Sequence, residues 1–115
     1  MNIINLTPHA INVVLPSSEY EGQDKKATYE PSGSIARIDM EMSTDVWEID
    51  GFPTVKYEVV GHNLPEPTEG IYLLVSAMVL AQAKSLGRTD CIAPDTNYAN
   101  RNEKGHIISV PGFVR

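Results

Sequence analysis

The chain has 115 residues, of which 42% are hydrophobic and 21% are charged, a composition typical of a folded globular protein. A chain of this length has room for one domain, and we predict a single domain over residues 1–115. The formal net charge of −6 argues against binding to a nucleic-acid polymer or to an anionic membrane surface, because both attract basic proteins.

The charge is unevenly distributed along the chain. Residues 1–60 contain ten acidic and four basic residues, whereas residues 61–115 contain five of each. A small anionic ligand would therefore find its better partners in the second half, which holds three of the four arginines. The simpler interpretation is that acidic surface charge keeps the protein in solution.

Cysteine and histidine usage limits the chemistry. Cys91 is the single cysteine, so neither an intrachain disulfide nor a cysteine-based metal site is expected. The three histidines His9, His62 and His106 lie far apart, and no pair has the spacing that presents two imidazoles to one metal ion from a helix face. We predict no catalytic residues, no metal and no cofactor.

The termini and apolar runs predict a cytoplasmic protein. The first residues show no basic segment before an apolar stretch, as a secretory signal would have. The longest apolar run, residues 71–81, is well short of the roughly 20 residues that a membrane-spanning helix needs.

Short extended segments separated by turns dominate the chain. Alternating polar and apolar residues, β-branched residues and bounding Pro or Gly residues are typical of strands. In chain order the candidate strands are residues 11–15, 28–30, 34–40, 46–49, 54–60, 71–75 and 106–110, with 90–93 as a further candidate; residues 3–6 lead into the turn at Thr7-Pro8. The polar residues 16–27 predict a loop or hairpin tip, and Asp50-Gly51 predicts a second hairpin.

Residues 77–86 form the one convincing helical segment. They are mostly helix formers, and Gly87 fits the C-terminal cap. The boundary at Ser76 stays open, because residues 73–83 also fit one longer buried helix. We therefore predict an α+β fold, a small and mostly antiparallel β domain of six to eight short strands with one short helix near 77–86.

Two short motifs present polar groups at turns. In Thr7-Pro8-His9, a hydroxyl and an imidazole lie on a turn that the proline makes rigid, which suits ligand binding. The alternative is a structural turn in which Thr7 bonds the main chain and His9 packs at an edge. Ser76 would cap the helix, and the first-turn amides there suit an anion, although an ordinary cap is the commoner case.

A third group lies in residues 88–102. Arg88 and Arg101 can grip phosphate or carboxylate with two hydrogen bonds, and Asn97 can contact a base or ribose edge. Tyr72 or Tyr98 offers a stacking face. An Arg88–Asp90 ion pair and a plain polar loop would account for the same residues.

Several short motifs follow one another over nearly the whole chain. They are Asn5-Leu6-Thr7-Pro8-His9, Gly33-Ser34-Ile35-Ala36-Arg37, Leu64-Pro65-x-Pro67, Gly70-Ile71-Tyr72-Leu73-Leu74-Val75-Ser76 and Arg88-Thr89-Asp90, with Pro94, Arg101 and Gly105 after them. In this order they resemble an uncharacterised family of small proteins from phages and prophages. The chain departs from that family at Ile108-Ser109, where many relatives have Gly-Cys, and in the loop at 16–27.

Small acidic phage proteins of this kind are similar to the sponges with which phages sequester nucleotide second messengers of bacterial immunity. The resemblance implies a non-enzymatic anti-defence protein of the host cytoplasm that binds a messenger such as the cyclic ADP-ribose isomers of Thoeris defence. It also implies a homo-oligomer with pockets between subunits. The residues expected to bind the ligand are Thr7, His9, Tyr72, Ser76, Arg88, Asn97 and Arg101.

Two other functions remain open. One is an enzyme that cleaves such a messenger, with His9 or His106 as the acid–base group near neutral pH. The other is a virion or assembly accessory protein whose strand edges pair with a partner.

Overall fold

The computed structural model describes residues 2–16 and 24–115, with the side chains of 44–46 left out. Within these residues the predicted α+β fold is confirmed, with one α-helix and ten strands. The elements are β1 (Asn2–Asn5), β2 (Ile11–Leu15), β3 (Lys25–Tyr29), β4 (Ile38–Ile49), β5 (Phe52–His62), β6 (Ile71–Leu74), α1 (Ala77–Ser85), β7 (Cys91–Pro94), a 3₁₀ turn (Thr96–Tyr98), β8 (Asn100–Arg101), β9 (Ile107–Ser109) and β10 (Phe113–Val114).

The strand count and several bounds differ from the sequence prediction. Ten strands replace six to eight, because pairing also recruits the two-residue segments β8 and β10. The candidate strand 46–49 is the distal part of one long strand, β4. Residues 25–27 belong to β3 and not to the predicted loop, because they pair with β2. Of the other residues of that loop, 17–23 lie outside the described residues.

Residues 34–37 precede β4 and are not part of a strand. The side chain of Asn63 takes the place of a strand partner here: its Oδ1 accepts from Arg37 N at 2.6 Å, and its Nδ2 donates to Ile35 O at 2.8 Å. The alternating pattern at 34–40 therefore marks an extended segment held by a side-chain amide.

The main sheet has the strand order β1-β6-β7-β10. β6 pairs in parallel with both β1 and β7, and β10 pairs antiparallel to β7. The three other pairings, β2–β3, β4–β5 and β8–β9, are antiparallel. Parallel neighbours need a crossover connection, and α1 supplies it between β6 and β7.

The hydrophobic core lies between this sheet and α1. Leu73 and Leu74 of β6 and the following Val75 are almost fully buried, whereas Ile71 and Tyr72 are half-buried. This burial explains the apolar run at 71–75. The buried cluster comprises Leu6, Leu64, Leu73, Val75, Leu80, Ala83, Cys91 and Ala93.

The helix begins at a polar cap and ends at a glycine. Ser76 is extended, and its Oγ accepts from Val79 N at 3.2 Å. Gly87 has a φ of +79°, a left-handed conformation that glycine adopts without strain. The strand thus ends at Leu74 before the helix starts, so the alternative of one helix over 73–83 is wrong. No helix among the described residues is long and apolar enough to cross a bilayer.

β4 and β5 form a long hairpin, residues 38–62, which we call the arm. The predicted Asp50-Gly51 turn is confirmed, with φ values of +55° and +81° at its two residues. The arm makes the molecule elongated, with extents of 58 × 36 × 25 Å and a radius of gyration of 17.7 Å. A compact chain of about 100 residues would have a radius near 13 Å.

Candidate functional site

The Thr7-Pro8-His9 turn is built around a buried asparagine. Asn5 and Thr7 are 2% and 8% exposed, and the Thr7 hydroxyl donates to Asn5 Oδ1 at 2.7 Å. The hydroxyl oxygen also lies 3.0 Å from His9 O. The side chain of Thr7 is therefore held inside the fold, whereas His9 is exposed.

His9 borders a cleft of about 270 Å³ between β2, β7 and β9. Two of the polar side chains that line the cleft, Asn12 and Ser109, already have protein partners. Asn12 Nδ2 donates to Ile108 O at 3.3 Å, and Ser109 Oγ accepts from Asn100 Nδ2 at 2.9 Å. No Lys or Arg lines the cleft. It therefore lacks the cationic donors that a phosphate group prefers.

Arg88 forms a bidentate ion pair with Asp90. Its Nε donates to Asp90 Oδ1 and its Nη2 to Asp90 Oδ2, both at 2.9 Å, and Nη2 also donates to Pro65 O at 2.6 Å. The two side chains are 12% and 15% exposed. The hydrogen bond from Arg88 holds the pKa of Asp90 below its ordinary value, and the same bond raises the pKa of Arg88. Arg88 thus ties β7 to the loop before β6.

The other candidate residues lie apart from one another. Asn97 is exposed on the 3₁₀ turn. Arg101 is exposed on β8, and its Nη1 donates to Gly105 O at 2.8 Å, which closes the β8–β9 turn. Ser76 caps the opposite end of α1 from Lys84. The hollows that Tyr72 and Arg88 line include none of the five other candidate residues, which are Thr7, His9, Ser76, Asn97 and Arg101.

Two adjoining hollows lie where the C-terminal end of α1 meets β6, β7 and the end of the chain. One of about 200 Å³ is lined by Thr68, Tyr72, Asp90 and neighbours, and the other of about 250 Å³ by Lys84, Arg88 and Cys91. Both include Thr89 and Arg115. We call them together the basic depression, formed by Thr68, Tyr72, Lys84, Arg88, Thr89 and Arg115.

Arg115 occupies the centre of the basic depression. Its guanidinium carbon lies 5.7 Å from the centroid of the Tyr72 ring, within the range of a cation–π contact. Its Nη2 donates to Thr89 O at 3.2 Å, and Lys84 Nζ approaches Arg115 O at 3.4 Å. The tyrosine ring and the threonine carbonyl therefore hold the guanidinium in one place.

The basic depression is positive in a chain that is negative overall. Asp90 neutralises Arg88, whereas Lys84 and Arg115 form no ion pair with an Asp or Glu side chain of the described residues. Glu66 contributes a more distant negative charge near Arg88. Two cations with the Thr89 hydroxyl can bind the oxygens of a phosphate or pyrophosphate group, whereas the Thr68 hydroxyl donates to Glu66 O at 3.3 Å.

The sequence prediction missed Lys84, Thr89 and Arg115 as members of this site. It selected Tyr72 and Arg88, which do line it. The one sequence feature that pointed to these residues was the uneven charge distribution, because the basic residues of the second half are not outnumbered by acidic ones. Nothing in their spacing shows that residues 72, 84 and 115 meet.

Among the described residues, no group of three His, Cys, Asp or Glu side chains is placed to hold a metal ion. Comparison of the chain with protein-family models, with curated proteins and with solved structures finds no match.

Proposed function

We propose that this protein binds and sequesters a nucleotide second messenger of the cyclic ADP-ribose type, without cleaving it, at the basic depression. The observation that carries the proposal is the pair of cations Lys84 and Arg115, which form no ion pair with an Asp or Glu side chain of the described residues. In a chain of net charge −6, such a pair marks the surface best suited to an anion.

The geometry suits a pyrophosphate more than a single carboxylate. Lys84 and Arg115 flank the second hollow, and Thr89 lies in both hollows. An ammonium and a guanidinium together can contact oxygens of two linked phosphates. Tyr72 helps to position Arg115, because its ring lies within cation–π range of the guanidinium.

Sequestration depends on affinity and abundance rather than on turnover. A binding protein lowers the free concentration of a signal only while its sites outnumber the signal. The order of motifs that resembles small phage and prophage proteins is the ground for proposing an anti-defence role, and we propose that the protein acts in the host cytoplasm.

The test is retention of ligand by the purified protein. The protein is incubated separately with cyclic ADP-ribose isomers and with cyclic dinucleotides, free ligand is removed, and the protein is heated to release what it holds. We expect intact cyclic ADP-ribose in proportion to the protein. Recovery of a cleaved product would assign an enzyme instead, and recovery of nothing would overturn the proposal.

Matched variants locate the site. Lys84→Ala and Arg115→Ala each remove a charged donor, which should weaken binding by about 10-fold or more. Lys104→Ala removes the same charge from the β8–β9 turn and should leave binding unchanged. An equal loss in all three variants would show non-specific attraction of the anion and would exclude the basic depression as the site.

A further inference from the structure

The two hollows of the basic depression differ in the charges that line them. Asp90 lines the first hollow, of about 200 Å³, and not the second. Lys84 and Arg88 line the second hollow, of about 250 Å³, and not the first. Thr89 and Arg115 line both. The depression therefore offers cations in one hollow and a carboxylate acceptor in the adjoining one.

The carboxylate of Asp90 has acceptor capacity for a further donor. An ionised carboxylate offers about four acceptor positions on its two oxygens. Arg88 uses one on each oxygen, through Nε to Oδ1 and Nη2 to Oδ2, and Cys91 Sγ lies 3.9 Å from Oδ1. The hydrogen bond from Arg88 lowers the pKa of Asp90, so at neutral pH the carboxylate is ionised and can only accept. Because its side chain is 15% exposed and lines the first hollow, a ligand there can donate to it.

A neutral hydroxyl suits this position better than a charged group does. A phosphate placed in the first hollow would meet a like charge at Asp90. An ammonium group would meet Arg88, which is 2.9 Å from Asp90, and Arg115, which lines the same hollow. A hydroxyl avoids both repulsions and still donates one hydrogen bond.

We propose that the first hollow binds a ribose of the ligand, with a sugar hydroxyl donating to Asp90 while the attached pyrophosphate lies against Lys84 and Arg115. This inference rests on the proposed function, because the position of the sugar follows from that of the pyrophosphate. In a nucleotide the group bonded to the pyrophosphate is the ribose. A pyrophosphate in the second hollow therefore brings the sugar, and not the base, to the first. Dinucleotide-binding proteins use an acidic side chain on a ribose hydroxyl in the same way.

The size and continuity of the two hollows allow one ligand to occupy both. Their volumes of about 200 and 250 Å³ together fall within the range of small-molecule sites, about 300–1,000 Å³. Arg88 links their chemistry, because it lines the second hollow and holds the carboxylate of Asp90 in the first. The site therefore selects a ligand that carries both a pyrophosphate and an unblocked ribose hydroxyl.

The test compares the binding of ADP and dideoxy-ADP by isothermal titration calorimetry. The two probes share base, pyrophosphate and charge, and only ADP has the two ribose hydroxyls. The wild type should bind ADP about 10-fold more tightly, the effect of one hydrogen bond to a charged acceptor. Asp90→Asn keeps the size of the side chain but removes its charge. It should reduce this preference to about 3-fold, because a hydrogen bond to a neutral acceptor is about half as strong.

Glu66→Gln is the matched control. Glu66 lies near Arg88 but outside the lining of both hollows, so this variant removes the same charge without removing the acceptor. Loss of a negative charge should strengthen the binding of both probes equally, and the preference for ADP should stay at the wild-type value. The ratio of the two dissociation constants thus separates the hydrogen bond from the general attraction of an anion.

Two results would overturn the sugar assignment. Equal affinity of the wild type for ADP and dideoxy-ADP would show that no ribose hydroxyl donates to the protein. An unchanged preference in Asp90→Asn, or an equal fall in Glu66→Gln, would exclude Asp90 as the acceptor. A purely structural role of Asp90 would weaken both probes by the same factor and leave their ratio unchanged.

Failure of this inference is distinguishable from failure of the nucleotide site itself. A protein that retains intact cyclic ADP-ribose but binds ADP no better than dideoxy-ADP would lose the sugar assignment alone. A protein that binds neither cyclic ADP-ribose nor ADP would lose the nucleotide site and the sugar assignment together.

Discussion

Asn5 Oδ1 accepts two hydrogen bonds from Thr7, one from its main-chain N at 2.9 Å and one from its hydroxyl at 2.7 Å. Its Nδ2 donates to His9 O and to Tyr29 O, both at 2.8 Å. One side chain that is 2% exposed thus closes the turn after β1 and ties it to the end of β3. These hydrogen bonds give the Thr7-Pro8-His9 motif a structural role that requires no ligand.

Thr7→Val tests that explanation. The variant keeps the shape of the side chain but removes the hydroxyl, leaving Asn5 Oδ1 with one buried hydrogen bond fewer. We expect the free energy of unfolding, measured with urea, to fall by about 1–2 kcal/mol. Ligand retention should not change. Thr96→Val, at an exposed position, should shift the midpoint little.

The opposite pattern for Thr7→Val would contradict this assignment. Unchanged stability together with lost retention of nucleotide would make Thr7 a ligand-binding residue, as the sequence prediction has it.

The Arg88–Asp90 pair makes stability depend on pH in the acid range. The pKa of Asp90 in the folded protein is lowered by its hydrogen bond with Arg88, from an ordinary value of 3.8. A lowered folded pKa stabilises the protein above the ordinary value, and this stabilisation is lost as the pH falls through the folded pKa. Asp90→Asn removes this contribution.

We therefore expect Asp90→Asn to lower the free energy of unfolding at pH 7 by about 1–2 kcal/mol, limited by solvent screening of a partly exposed pair. The difference from the wild type should shrink as the pH falls below 3.8. Urea denaturation at a series of pH values measures it. A difference that stays constant through the acid range would show that the carboxylate charge contributes nothing.

Local patterns could predict most elements of the fold but not their pairing. The strand at 11–15 and the helix after Ser76 are encoded by neighbouring residues, and both form where predicted. The parallel pairing of β1 with β6 joins Asn2 to Ile71, and no periodicity indicates such a distant partner. The sequence predicted two strands, 34–40 and 46–49, where the structure has the single strand β4. The pairing of β4 with β5 changes register between these two segments, at Met42 to Val46.

The candidate site shows the same division between local and distant relationships. The Arg88–Asp90 pair lies two residues apart, so the sequence could suggest it as an alternative to ligand binding. The contact between Arg115 and Tyr72 depends on β10 returning beside β7, which local sequence does not specify. Charge counting thus pointed to the half of the chain that contains the basic depression, but not to the cations that meet there.

Ser76 should matter for stability and not for the ligand. Its Oγ accepts from Val79 N, and α1 has no acidic residue in its first turn to help. Ser76→Ala should lower the free energy of unfolding by about 1 kcal/mol, and Ser76→Asp should retain most of it because aspartate also caps helices. Equal nucleotide retention by all three proteins is expected, since Ser76 lies at the other end of α1 from Lys84. Selective loss of retention in Ser76→Ala would instead place the ligand at the start of the helix.

Cys91 should be unreactive until the protein unfolds. Its side chain lies in the core cluster at 2% exposure, and burial raises the pKa of its thiol. Because the thiolate is the reactive form, both effects slow attack by a disulfide reagent. At pH 8 the thiol should react slowly in native buffer and rapidly in urea above the unfolding midpoint. In native buffer the rate should rise in Thr7→Val, because a less stable protein opens more often. The contrary result would be a rapid reaction of the wild type in native buffer, at a rate that Thr7→Val does not change. It would show that the reagent reaches Cys91 without unfolding, and that α1 covers β7 less well than the burial of Cys91 indicates.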